Sequence, residues 1–159
     1  MNASPDALAQ LERDYGLDKP LVVQYVDWLS GAVRGDLGTS MLTGADIASE
    51  IGAKATITLP LIALASLFAV LIALPIGMVS ALRHRKLDGV ALSTTSQLGI
   101  AIPTFWMGVM LISVFALRTS LFPAGGFPDE GWSAWTESVR SLMLPAITLG
   151  LAQGAVLAR

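Results

Sequence analysis

Two long stretches without a charged side chain constrain this sequence more than any other feature. They are residues 55–82 and 89–117, and the link between them, residues 83–88, reads RHRKLD. Each stretch exceeds the roughly 20 apolar residues with which a helix crosses about 30 Å of hydrocarbon. Because basic links favour the cytoplasmic side of a membrane, we expect residues 83–88 to be cytoplasmic. The pattern predicts an all-α, polytopic membrane protein in contact with a lipid bilayer.

The composition removes several classes of function. Charged residues make up 14% of the 159-residue chain, against about 25% in a typical soluble domain. The chain has no cysteine and a single histidine, His84, which excludes thiolate sites and the usual histidine-rich metal sites. A net charge of −2 offers no basic surface for nucleic acid. We therefore expect no metal, no cofactor and no nucleic-acid partner.

Three membrane spans can be placed along the chain, at about residues 56–82, 90–117 and 141–158. With the basic link inside, residues 1–54 and 118–140 lie outside. An intramembrane enzyme would need a nucleophile with its base, a carboxylate pair or a metal within the membrane. The three spans contain no Asp, Glu, His, Cys or Lys. We therefore expect a protein that is not an enzyme and has no catalytic residue.

The external segment, residues 1–54, is polar and acidic but carries helix signals. Gly16 is expected to end a first helix, and Pro20 to precede a second one. Thr43 and Asp46 have the spacing of a capping box before a short helix that leads into the membrane. Apolar residues recur at helical spacing after Pro20, and we expect them to pack against protein or lipid headgroups rather than bind a ligand. They are Leu21, Val22, Tyr25, Val26 and Leu29, with Trp28 beside them.

A polar face lies on the second predicted span. Ser93, Gln97 and Thr104 are four and seven residues apart and so share one side of a helix. A hydroxyl or amide that faces lipid has no hydrogen-bond partner, so this face should meet another helix or a wet cavity. We favour hydrogen bonding between helices over contact with a substrate. Gln153, on the third span, is a further candidate for a helix interface or a pathway.

Prolines and glycines in the spans predict bends and close contacts. Pro75 and Pro103 are expected to bend the first and second spans, which membrane helices tolerate when neighbours satisfy the freed carbonyl groups. Gly150 and Gly154 form a G-x-x-x-G pair on the third span. Such a pair permits the close approach of another helix.

The predicted topology leaves open how residues 1–54 reach the outside of the membrane. Residues 1–54 lie outside, yet neither a signal peptide nor an apolar helix precedes them. We therefore expect an internal piece of a larger membrane protein, with at least one upstream helix and further residues after Arg159.

Short motifs follow one another over almost the whole chain. They are GLDKPL (16–21), GDLGTS (35–40), ATITL (55–59), PIG (75–77), IPTFWMG (102–108), LFPAGG (121–126) and LPAITLG (144–150). In this order they resemble one bacterial family, the permease subunits of dipeptide, oligopeptide and nickel ABC importers. The resemblance implies a type I ABC importer transmembrane domain, present in part as residues 55–159.

The resemblance also implies a function and a set of partners. The chain would be a plasma-membrane (inner-membrane) permease subunit of an ATP-driven importer for peptides or related small solutes. A second permease subunit, cytoplasmic ATPase subunits and an extracytoplasmic substrate-binding protein would work with it. ATP hydrolysis would belong to the ATPases, and the chain has no phosphate-binding loop motif. The alternative is a truncated fragment that is nonfunctional or serves assembly only.

Overall fold

The computed structural model describes residues 9–10, 12–13, 15–83 and 101–158. Within these ranges the secondary structure is helical, apart from an isolated bridge between Thr39 and Asp46. The contacts divide the chain into two compact units, Met1–Thr56 and Ile57–Arg159. The predicted interface residues Ser93 and Gln97 lie outside the described residues.

The first unit contains helix α1, Leu21–Val33, and the loop that follows it. Gly16 has a φ of 63°, and the Leu17 amide donates to the Glu12 carbonyl over 2.8 Å, which confirms the predicted helix end at Gly16. After α1, the Asp36 amide donates to the Gly31 carbonyl over 2.9 Å. The Ile47 amide then donates to the Gly38 carbonyl over 3.0 Å. These bonds tie the end of α1, through the loop, to the start of the next helix.

Helix α2, Ile47–Leu82, is 36 residues long and crosses the boundary between the two units. Its first turn corrects the predicted capping box. Asp46 itself is the cap, since its Oδ1 accepts from the Ser49 amide over 2.8 Å. Thr43 instead accepts from the Ala45 amide over 3.4 Å and stabilises the preceding turn. An Asp carboxylate is at least as good a cap as a Thr hydroxyl and here lies next to the first helical residue.

The helices extend beyond the predicted spans. The first span was expected from residue 56, whereas α2 begins at Ile47. The third was expected from residue 141, whereas its helix begins at Trp135. Hydropathy marks only the part of a helix that suits hydrocarbon, and polar turns can continue the same helix into the headgroup layer.

The described part of the second unit contains two further α-helices. Helix α3, Thr104–Leu111, follows Pro103 and continues as a π-helix over Ile112–Arg118. After a loop, a 3₁₀ turn at Gly131–Ala134 leads into helix α4, Trp135–Leu157. Among the described residues, two helical segments are long and apolar enough to cross a membrane, Ile47–Leu82 and Gly131–Leu157. Thr104–Arg118 is a shorter apolar segment.

Candidate translocation surface

A seam of small residues joins α2 and α4. The three buried side chains of α2 are Ala65, Ala69 and Ala73, which repeat every four residues and so line one side of the helix. Gly150 and Gly154 of α4 lie against this side. The seam therefore brings the backbone of α4 at the two glycines close to the backbone of α2 at Ala65 and Ala69, beside the side chains of Phe68 and Ile72.

The glycines of the seam have no room for a side chain. A Cβ added at Gly150 would lie 2.5 Å from the Phe68 Cβ and 3.1 Å from the Ala65 carbonyl oxygen. At Gly154 it would lie 3.2 Å from the Ala69 carbonyl oxygen. The predicted close approach at the G-x-x-x-G pair is confirmed, and its partner is the alanine side of α2.

A cavity of about 570 Å³ lies between α3 and α4, beneath the loop that contains residues 123–127. Most of its wall is apolar, and three hydroxyl side chains add polar atoms. They are Thr104, Ser141 and Thr148. We call this space the α3–α4 cavity.

The hydroxyls of the α3–α4 cavity differ in their hydrogen bonds. Thr148 is buried and donates to the Leu144 carbonyl of its own helix over 2.8 Å. Ser141 donates to the Ser138 carbonyl over 2.8 Å. Thr104 stands at the start of α3 and is exposed. Thr104 is therefore the most exposed of the three hydroxyl-bearing residues of this cavity.

A second cavity of about 730 Å³ shares the loop but has a more polar wall. Its charged residues are Asp129, Glu130, Glu137 and Arg140. The Arg140 guanidinium donates from Nη2 to the Leu121 carbonyl over 2.7 Å, across 19 residues of sequence. Arg140 thus fixes the loop between the two cavities to α4.

The π-helix ends in an unusual turn beside the second cavity, which Ala116 and Ser120 line. The Phe115 carbonyl accepts from the Thr119 hydroxyl over 3.0 Å and from the Leu121 amide over 2.9 Å. Ser120 has a φ of 51°, in the left-handed region that few non-glycine residues adopt. π-turns are rare and frequently occur at functional sites. The sequence predicts an ordinary helix here, since hydropathy does not distinguish amide hydrogen bonds to residue i−4 from those to residue i−5.

The structure separates the predicted site residues. Thr104 lines the α3–α4 cavity, whereas Gln153 is exposed on α4. Pro103 has extended backbone (φ −60°, ψ 130°) directly before α3, and α2 is helical through Pro75. Ser93 and Gln97 are not among the described residues, so the shared face with Thr104 stays a prediction. The same holds for the bend at Pro75.

Fold and site together define a class of protein. Long apolar helices meet at a small-residue seam, and a cavity with hydroxyl groups and an apolar wall lies beside it. Among the described residues no group of three or more His, Cys, Asp or Glu side chains could hold a metal ion. The apolar helices and their small-residue seam are typical of a polytopic helical membrane protein.

Comparison with known proteins identifies the family. Residues 73–159, more than half of the chain, match the model of the binding-protein-dependent transport system inner membrane component. The chain belongs to this family of ABC importer permeases, and its fold is that of the type I importer transmembrane domain. It is therefore an inner-membrane protein.

Three curated relatives illustrate the range of the family. The oligopeptide transport system permease protein AppB of Bacillus subtilis is 36% identical over 94% of this chain and 48% of its own length. The glutathione transport system permease protein GsiC of Escherichia coli is 35% identical over 99% of this chain and 50% of its length. The metal-staphylopine import system permease protein CntB of Staphylococcus aureus is 28% identical over 98% and 47%. The chain thus spans about half the length of the curated relatives it matches.

Proposed function

We propose that this chain is part of the translocation pathway of an ATP-driven importer for peptides or related small solutes. The observation that carries the proposal is the α3–α4 cavity, within the region that matches the permease family. Relatives named for oligopeptide and glutathione transport align over most of the chain and support the solute class. The protein itself performs no bond chemistry.

The chemistry of the cavity suits transport rather than tight binding. A pathway must bind a solute strongly enough to admit it and weakly enough to release it. An apolar wall with a few hydroxyl groups offers a peptide single neutral hydrogen bonds, each with a net contribution of about 0.5–1.5 kcal/mol. Thr104 is the side chain that we assign to this contact.

The family supports a set of partners and an orientation. We assign a second permease subunit, two cytoplasmic ATPases and an extracytoplasmic substrate-binding protein as partners. ATP hydrolysis belongs to the ATPases. Residues 1–54 and 118–140 lie outside and residues 83–88 inside, and the basic side chains of that link support this orientation. Residues 1–54 form the external region and residues 55–159 the membrane domain.

Substitution of Thr104 tests the proposal. The full-length gene product is reconstituted in vesicles with its partner permease, ATPases and binding protein, and ATP-driven uptake of a labelled peptide is measured. Thr104→Val keeps the shape and removes the hydroxyl, so uptake is expected to fall by about threefold to tenfold, as for one lost hydrogen bond. Thr136→Val, on an exposed turn of α4 outside both cavities, is the matched control.

The two variants separate the possible outcomes. Loss of uptake in Thr104→Val alone supports the pathway role of the cavity. Equal uptake in both variants rejects Thr104 as a pathway residue. Stable insertion without any uptake by the complete wild-type assembly contradicts the transport function itself and favours an assembly role.

A further inference from the structure

Helix α1 is strongly amphipathic. At 100° per residue, Gln24, Asp27 and Ser30 project to one side, and eight apolar side chains occupy a continuous arc of about 160° on the other. The apolar arc comprises Leu21, Val22, Tyr25, Val26, Trp28, Leu29, Ala32 and Val33. Val23 is the one large apolar residue on the polar side. In a soluble domain the apolar side would face the core.

The polar side of α1 carries the contacts with the preceding loop and stays accessible, since the Lys19 and Asp27 side chains are each more than half exposed. The Gln24 amide donates to the Lys19 carbonyl over 2.7 Å, and the Lys19 ammonium pairs with Asp27 over 2.9 Å. The hydrogen bond and the charge of Asp27 raise the pKa of Lys19 above its ordinary value of 10.5. The preceding loop therefore lies across the polar side of the helix.

The apolar side of α1 is left bare. The helix is described throughout, and it has no buried residue. Leu21 and Val33, near its two ends, are each 81% exposed, and Val22 is 75% exposed. Exposing such a continuous apolar face to water is unfavourable, because removing apolar surface from water lowers the free energy roughly in proportion to the area removed. The face thus needs an apolar occupant.

Aromatic chemistry on this face indicates what the occupant is. The rings of Tyr25 and Trp28 lie side by side, with centroids 6.3 Å apart and planes inclined by 34°. Tyr and Trp are the residues enriched where a membrane meets water, since each joins an apolar ring to a polar group. An aliphatic face bearing such a pair fits the boundary between headgroups and acyl chains.

The position of α1 along the chain also indicates that its apolar face meets the bilayer. Its end is tied by backbone bonds, through residues 36–38, to the first turn of α2 within the first unit. In α2 the last charged residue is Lys54, and the uncharged stretch begins at the next position. The turns of α2 that share a unit with α1 are therefore those at which α2 enters the membrane.

We infer that α1 lies in the membrane–water interface at the surface where α2 enters. Its apolar face is buried in the headgroup–acyl boundary, and the Lys19–Asp27 side faces water. The bilayer itself is the occupant of the bare face. The inference requires a membrane protein but not the proposed transport activity.

Depth measurements by spin labelling test this placement. Single cysteines are introduced into the full-length protein in a background that has no other cysteine, and they carry a nitroxide in phosphatidylcholine–phosphatidylglycerol vesicles. Collisions with O₂, which partitions into lipid, are compared with collisions with a water-soluble nickel chelate. Val22→Cys and Leu29→Cys probe the apolar face. Val23→Cys and Ser30→Cys are their matched neighbours on the polar side.

The expected profile follows the helix. Labels at positions 22 and 29 should lie about 5–10 Å below the headgroup boundary, whereas labels at 23 and 30 should collide mainly with the nickel chelate. A label at Leu67→Cys, in the apolar part of α2, serves as the reference for a position deep in the bilayer, with frequent O₂ collisions and few with the nickel chelate. Access of the nickel chelate to all four α1 positions would overturn the inference. Shielding of 22 and 29 from both reagents would overturn it as well, since a protein then covers the face.

Discussion

Among the described glycines, Gly150 has the least room for an added Cβ. Gly150→Ala places a methyl group 2.5 Å from the Phe68 Cβ, and neither that atom nor the nearby backbone can swing away. Overpacking of this kind costs about 1–3 kcal/mol. We therefore expect a lower midpoint of thermal unfolding in detergent for this variant.

Gly52 provides the control for this prediction. It also lies in a helix, but an added Cβ has nothing within 4 Å. Gly52→Ala should be neutral or raise stability by up to about 1 kcal/mol, because Ala is the better helix former. Equal loss of stability in the two variants would show that the seam does not limit packing at Gly150.

For single residues, the sequence predicted the glycine pair and Thr104 but did not predict Arg140 and Ser120. The glycine pair was predictable because its spacing alone puts both residues on one side of a helix. Thr104 was selected for its polarity in an apolar span, and the structure places it at a cavity. The roles of Arg140 and Ser120 were not predictable, since they depend on contacts across the loop and on a backbone angle.

Among the elements, α2 shows how a helix start is set by one side chain. Asp46→Ala removes the acceptor of the Ser49 amide, and loss of such a cap costs about 0.5–2 kcal/mol. We expect faster hydrogen exchange at the amides of Ile47–Glu50, measured by mass spectrometry on the protein in detergent. Thr43→Ala, which removes only a 3.4 Å contact, should leave this exchange nearly unchanged. The reverse order of the two variants would restore the capping box that the sequence predicted.

The first residues of the helices were the part of the fold that the sequence predicted least well. Hydropathy located the uncharged stretches, which is why the helical class was predicted correctly. It did not locate Ile47 or Trp135, because the added turns are polar or interfacial and gain nothing from hydrocarbon. The π-helix at Ile112–Arg118 also has no composition of its own, since it reuses the apolar residues of an ordinary span.

For the whole molecule, orientation is the property that labelling can decide. Cysteines at Ser40 and Ser133 should react with an impermeant maleimide added outside intact cells, and one at Leu87 should react only after the membrane is opened. The physical reason is the basic link, which resists transfer across the membrane. Reaction of the Leu87 variant alone from outside would invert the topology.

The seam of α2 and α4 has a consequence for the order of assembly. Within a bilayer, lipid tails solvate apolar helices as well as other helices do, so association depends on close packing. Glycine and alanine have no side-chain rotamers to lose on contact. At its glycine and alanine positions, closing the seam therefore fixes no side-chain rotamer, and only side chains beside them, such as Phe68 and Ile72, are restricted. The two helices are suited to enter the bilayer separately and join afterwards, at a small cost in side-chain entropy.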